Sequence, residues 1–201
     1  LVIEVLFHNK ELSTFPKQVQ SGAFVESDWP KLNALLRVNM LALAQLTHWG
    51  AVRMKAKGSG AIVNLSAAVA TRPTPYFAAY AASKAFVTSL SLATDNELRR
   101  HGVTVSAVHP PAVRTSFADA GKADLRSTLV LKLFPSVSAA HVARTVLTVA
   151  RTGRRSAVVG PIAAIIMATA PIMPRGIDLA FMSLLFKGRR APAAANTQPG
   201  E

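Results

Sequence analysis

The chain has 201 residues, half of them hydrophobic, and no cysteine. That is long enough for one domain with a sizeable core and too apolar for a disordered chain, and the missing thiols exclude disulfides and thiolate metal sites and fit a reducing, cytoplasmic setting. A formal charge of +13 raises nucleic acid or an anionic membrane as partners, but the basic residues are dispersed over Arg99-Arg100, Arg151 to Arg155 and Lys187 to Arg190. No basic helix interleaved with aromatics appears, which argues against nucleic acid. His8, His48, His101, His109 and His141 have no metal-ligand spacing, so no metal is expected.

Leu1–Phe7 is an apolar run, too short for a signal peptide or a bilayer span, and reads as a strand. Ser13–Ser27 reads as a loop. Ser27 or Asp28 can then cap a helix with Pro30 in its first turn. Leu32, Leu35, Leu36, Val38, Leu41 and Leu43 recur at mixed helical spacings, the mark of a well-buried helix, which continues through Trp49 and Met54 to a stop near Gly58. After the turn Lys57-Gly58-Ser59-Gly60, Ala61–Leu65 is a short β-branched run that reads as a buried strand.

Pro73 and Pro75 break the loop that follows. A helix then runs from Ala78 to about Arg100, with Phe86, Val87, Leu90 and Leu98 on its apolar face and Gly102 beyond its end. Val103–Val108 alternates as a further strand and leads into His109-Pro110-Pro111-Ala112-Val113-Arg114-Thr115. Ser116–Leu133 carries no clear pattern. Ser138–Arg151 reads as an amphipathic helix and Ser156–Gly160 as the last strand. Pro161–Lys187 is nearly all apolar but is interrupted by Pro171, Pro174 and Arg175, so it is not one spanning helix. Two readings stay open for it. It forms short helices closing a substrate pocket, which is preferred, or an amphipathic segment making peripheral membrane contact through residues 161–190. Residues 191–201 read as a disordered tail.

Tyr80 and Lys84 stand four residues apart near the start of the third helical stretch and so share one helix face. An ammonium beside a phenol favours the phenolate and lowers its pKa, which suits general acid–base work on a carbonyl. The pair follows the strand containing Gly60, Ile62, Val63 and Asn64, the order that a site at the carboxyl end of a strand requires.

Together these features resemble the short-chain dehydrogenase/reductase family, which has a Tyr-x-x-x-Lys helix after such a strand. The resemblance implies an α/β fold, a partial Rossmann-type, doubly wound parallel sheet of four strands with helices on both faces. It implies NAD- or NADP-dependent oxidation of an alcohol or reduction of a carbonyl, with an apolar small-molecule substrate and a homo-oligomeric state. Tyr80 would exchange the proton, and Lys84 would tune it and hold the nicotinamide ribose. Asn39, in Leu36-Arg37-Val38-Asn39-Met40, matches the asparagine of the family's proton relay. Asn9, in His8-Asn9-Lys10-Glu11, matches one residue of the turn after the family's fourth strand. Pro110, Val113 and Thr115 match its nicotinamide-contacting loop, with Pro111 where the family has Gly.

Two departures accompany these matches. The family's catalytic serine position is Ala67. Its neighbour Ser66 is the candidate replacement, although adjacent strand residues face opposite ways. The family's first three strands and Gly-rich phosphate loop have no counterpart, so residues 1–190 look like an amino-terminally truncated member. Leu1–Phe7 would then be an apolar edge strand inviting self-association. The rival expectation is a catalytically inactive relative or fragment serving as an interaction or membrane-surface module.

Overall fold

A computed structural model of the chain describes residues 2–4, 22–114 and 136–187. Asn9, Thr115, the 116–133 segment and the 191–201 tail lie outside the described residues. Four strands, β1 (Val2–Glu4), β2 (Gly60–Leu65), β3 (Val103–His109) and β6 (Ser156–Val158), form one parallel sheet in the order β1-β2-β3-β6. Each matches an expected strand to within a few residues. Among the described residues β1 pairs with β2 alone.

The long first helix is not uniform. It comprises α1 (Trp29–Leu36), a π-helical stretch over Arg37–Ala42 and α2 (Leu43–Lys57). Asp28 stands at the amino-terminal cap position but contributes no side-chain cap bond; its carboxylate meets Lys31 at 3.2 Å instead. The π stretch carries Asn39, and such local widenings of a helix concentrate at functional positions. α2 ends at Gly58 and the helix α3 (Ala78–Leu98), with its last turn Arg99–His101, ends at Gly102. Both glycines have a φ of +73°, and a side chain at Gly102 would collide with the Gly58 carbonyl. The two turns that start β2 and β3 therefore close against each other only as glycines.

Successive residues of β2 supply both cores. Ile62 joins Ala51 and Met54 of α2, Leu98 of α3 and Val103 and Val105 of β3. Val63 faces the other way, into Val108, Val159 and the Val142, Val146 and Val149 stripe of α4 (Ala139–Thr152). Alternation along a strand thus puts α2 and α3 on one face and α4 on the other. β3 does not alternate as expected. Six of its seven residues are buried, because a central parallel strand is covered on both faces.

The Ser138 hydroxyl caps α4 by accepting from the His141 N–H at 3.2 Å. Two short strands absent from the sequence reading, β4 (Val113–Arg114) and β5 (Val137–Ser138), pair in parallel and tie the chain after β3 to the start of α4. The apolar carboxyl-terminal segment forms two short helices, α5 (Pro161–Thr169) and α6 (Arg175–Phe186). Among the described residues no helix is long and apolar enough to cross a membrane.

Candidate active site

The site end of the molecule is the carboxyl edge of β2 and β3, where α3 begins. Pro73 and Pro75 keep the approach out of helix, and Tyr76 has a φ of +64°, the single non-glycine residue in that region among those described. Phe77 then opens α3, and its ring meets that of Tyr80 edge-on at 6.3 Å. Tyr80 and Lys84 share a face as their spacing predicts. Lys84 Nζ lies 5.8 Å from the centre of the Tyr80 ring and donates to the Leu65 carbonyl at the end of β2, at 3.0 Å.

The electrostatics differ from the sequence expectation. Burial pushes the Tyr80 phenol up to about 12 rather than down. Burial also lowers Lys84 to about 8. Desolvation penalises both charged forms here and outweighs the ammonium's pull on the phenol. Near neutral pH the pair is therefore a protonated phenol beside an ammonium easily discharged, and the phenol, though it holds a proton, is a weaker acid than the spacing predicts.

Asn39 reaches the same helix. Its Nδ2 donates to Ser83 Oγ at 3.0 Å, and the Ser83 hydroxyl donates to the Tyr80 carbonyl at 2.7 Å. Ser83, fully buried three residues after Tyr80, was not singled out from the sequence, where a serine in a helix carries no signal of its own. A cavity of about 30 Å³ lies between α1 and the start of α3, bounded by Leu32, Leu35, Tyr76, Phe77 and Tyr80.

Ser66 is engaged elsewhere. It follows Ile62 and Asn64 on the α2/α3 face, as strand alternation requires. Its hydroxyl donates to the Lys84 carbonyl at 2.9 Å and lies 2.7 Å from Thr88 Oγ1. Thr88 in turn meets His109 Nε2 at 3.1 Å. At 3% exposure, with its proton spent on a helix carbonyl, Ser66 holds α3 to the sheet. Ala67, next to it, offers only a methyl group.

Pro110 lies directly after β3, and its carbonyl accepts from the Ala68 N–H at 3.0 Å. This bond joins the two loops that leave β2 and β3. Val113 lies in β4 and packs against the Val63–Val108–Val142 core, so its side chain serves packing rather than an open site. Thr115 and Asn9, the other two matches, lie outside the described residues.

No local pattern reveals the contact that ties the carboxyl-terminal helices to the loop before α3. Arg72, in the loop before α3, donates to Asp178 of α6 at 2.7 Å and to Thr169 Oγ1 of α5 at 2.8 Å. A further bond, to the Ile166 carbonyl, comes from the same guanidinium. Beside this ion pair Met182, Leu185 and Phe186 of α6 pack on Phe77, with Tyr80 at the margin. A separation of 106 positions between Arg72 and Asp178 leaves no local pattern from which to read the pairing.

The residues present fit the nicotinamide end of a dinucleotide. The bond to Leu65 uses one of the three donors of the Lys84 ammonium, leaving two for ribose hydroxyls. The pyrophosphate end finds no such fit among the described residues. Gly58-Ser59-Gly60 leads into a strand, whereas a phosphate cradle follows a strand and opens a helix.

An open parallel sheet wound by helices on both faces defines a Rossmann-type α/β protein. The chain belongs to the short chain dehydrogenase family, whose sequence pattern matches residues 3–126, and so to a family of oxidoreductases. It is 30% identical over 103 residues to a very-long-chain 3-oxoacyl-CoA reductase of Podospora anserina, covering 51% of this chain and 30% of that protein. It is also 30% identical over 86 residues to human 17-beta-hydroxysteroid dehydrogenase type 3, covering 43% of this chain and 28% of the relative. The matched stretches thus span about a third or less of these two relatives. A short-chain dehydrogenase from Sphingobium yanoikuyae, solved in complex with NADPH, superposes with a TM-score of 0.63 at 28% identity. That match covers 89% of this chain and 65% of the other.

Proposed function

We propose that this chain carries the acid–base part of a nicotinamide-dependent oxidoreductase that interconverts an apolar ketone and its alcohol. The observation that supports this most is the pairing on α3, with Tyr80 and Lys84 on one face and Lys84 anchored to the Leu65 carbonyl. In reduction the Tyr80 phenol donates its proton to the carbonyl oxygen of the substrate. The Lys84 ammonium supports the negative charge left on Tyr80 and offers its remaining donors to the ribose of NAD or NADP. Asn39, through Ser83, fixes the backbone turn that carries Tyr80. The cofactor, when bound, supplies or accepts the hydride. The apolar wall of Phe77, Met182 and Phe186, together with the long-chain acyl and steroid substrates named for the relatives, supports an extended apolar ketone as substrate.

The test is oxidation of NADPH by the whole chain with a long-chain 3-oxoacyl thioester or a 17-oxosteroid. Tyr80→Phe should lower kcat/KM roughly a thousandfold and Lys84→Ala comparably, while Ser66→Ala has a far smaller effect. Turnover unaffected by Tyr80→Phe would overturn the assignment.

One observation favours a second reading, a catalytically inactive family relative or fragment acting as an interaction or membrane-surface module. The hydroxyl expected at position 67 is a methyl group, and the nearest hydroxyl is bonded to the Lys84 carbonyl. Losing one such donor costs about a hundred- to a thousandfold in rate. Calorimetric titration with NADPH separates the two. No binding heat and no turnover would leave the non-catalytic reading standing.

A further inference from the structure

Helix α6 is apolar on both of its faces, yet among the described residues only one is covered. The inner face carries Met182, Leu185 and Phe186, packed on Phe77. The outer face carries Ile177, Phe181 and Leu184, at the i, i+4, i+7 spacing of a single stripe. Ile177 is 61% exposed and Leu184 65%, and Ile172, in the turn that enters the helix, is 81% exposed. From 171 to 184 every exposed residue other than Arg175 is apolar or glycine. A helix hydrophobic all round is ordinarily buried on every side, and a contiguous exposed apolar surface marks an interaction site.

The charges on this segment select the partner. Residues 161–187 contain one carboxylate, Asp178, which is withdrawn beneath α6 into its ion pair with Arg72. The charges left at the surface are cationic, Arg175 at the start of α6 and Lys187 just past its end. A second copy meeting this face across a two-fold axis would set cation against cation. An anionic lipid surface instead offers acyl chains to the stripe and phosphates to its two cationic ends. From this juxtaposition we infer that the outer face of α6, with the turn at Ile172, docks the protein on an anionic lipid surface. The inner face of the same helix packs on Phe77 beside Tyr80. Docking therefore sets the Tyr80 end of α3 against the membrane, the phase from which an apolar substrate would come. The docking itself does not depend on the catalytic reading.

The test is co-sedimentation of the whole chain with vesicles of phosphatidylcholine containing about a quarter phosphatidylserine. Bulk positive charge alone could bind such vesicles, so the decisive variant leaves the charge unchanged. Ile172→Asn/Ile177→Asn/Leu184→Asn keeps the formal +13. It should lower the partition coefficient at least roughly tenfold, since each side chain removed from lipid forfeits its apolar transfer energy. The three side chains are exposed, so circular dichroism and the melting temperature should not change. Should the triple variant fail to fold, Ile172→Asn alone should still weaken binding measurably. Raised salt should weaken binding of the parent without abolishing it, because screening acts on the cationic ends and not on the stripe. Three results would each overturn the inference. The parent chain stays in the supernatant, the triple variant sediments like the parent, or light scattering finds that the triple variant breaks a dimer formed without vesicles.

Discussion

At its carboxyl end α3 is held by Asp95, a fully buried carboxylate that accepts from the Val105 N–H at 3.0 Å and from two groups of Arg99 at 2.9–3.0 Å. Arg155 adds an ion pair at 3.1 Å. At its amino end the corresponding tie is Asp178 to Arg72, and it has a different character. Asp95 joins elements of the sheet and its covering helix, and both of its arginines reach solvent. The Arg72–Asp178 pair is buried on both sides, joins the loop before Tyr80 to the separate cap of α5 and α6, and leaves Arg72 Nε without a partner. The first is a scaffold bond satisfied on every side. The second carries a residual desolvation cost in exchange for fixing where the cap sits, which is where a substrate pocket would need definition.

Each half of this contrast can be broken separately. Asp95→Ala should cause the larger loss of stability, about 3–5 kcal/mol in urea unfolding, since it strands the Val105 N–H and two arginines at once. Adding Arg155→Ala should recover little, because the backbone donor remains unpaired. Arg72→Ala should cost about 3 kcal/mol by leaving Asp178 buried alone. Here the double variant Arg72→Met/Asp178→Leu should regain most of the loss, since apolar replacement of a buried pair removes its desolvation cost. Equal recovery at both ends would dissolve the distinction drawn between them.

Smaller effects come from titration at the site end. Tyr80 is raised to about 12 from an ordinary 10.0, so it supports folding fully below pH 10 and that support is lost as pH rises from 10 to 12. Ultraviolet titration should give a late phenolate component that Tyr80→Phe removes. Lys84 is lowered to about 8 from 10.5, so its penalty is full below pH 8 and fades between 8 and 10.5. Lys84→Met should accordingly raise the melting temperature at neutral pH, with the gain vanishing toward pH 10.5. The smallest effect is that of His109, buried between Thr88 and Ser156 and held below 6.5, chiefly by burial. The unfolded chain binds the extra proton first, so stability should fall as pH drops below 6.5, and His109→Gln should flatten that slope in thermal melts.

Much of the frame was legible because it is written in local patterns. The β-branched runs at Ala61–Leu65 and Val103–Val108, the glycines at 58 and 102 and the spacing of Tyr80 and Lys84 each express chemistry between near neighbours. They placed the sheet, the stops of both long helices and the candidate pair on one helix face. Strand alternation even told that Ser66 would turn away from the face of its neighbour Ala67.

Tertiary structure decided what depends on surroundings rather than on sequence distance. The buried side of α3 reads as apolar in Val87 and Leu98, yet it also holds Ser83, Ser91 and Asp95, each of which meets a partner distant in sequence as well as one within the helix or its last turn. Ser91 meets Asn64 at 3.0 Å and Ser83 meets Asn39 at the same distance. The sign of the Tyr80 shift also required the packed structure. Spacing alone supplies the ammonium and predicts a lowered pKa, whereas burial, which only the fold creates, desolvates both groups and reverses it. The Arg72–Asp178 tie belongs to the same class. A charge in an apolar run such as Asp178 looks like an interruption in one dimension, and in three it is the anchor that turns an apolar stripe outward.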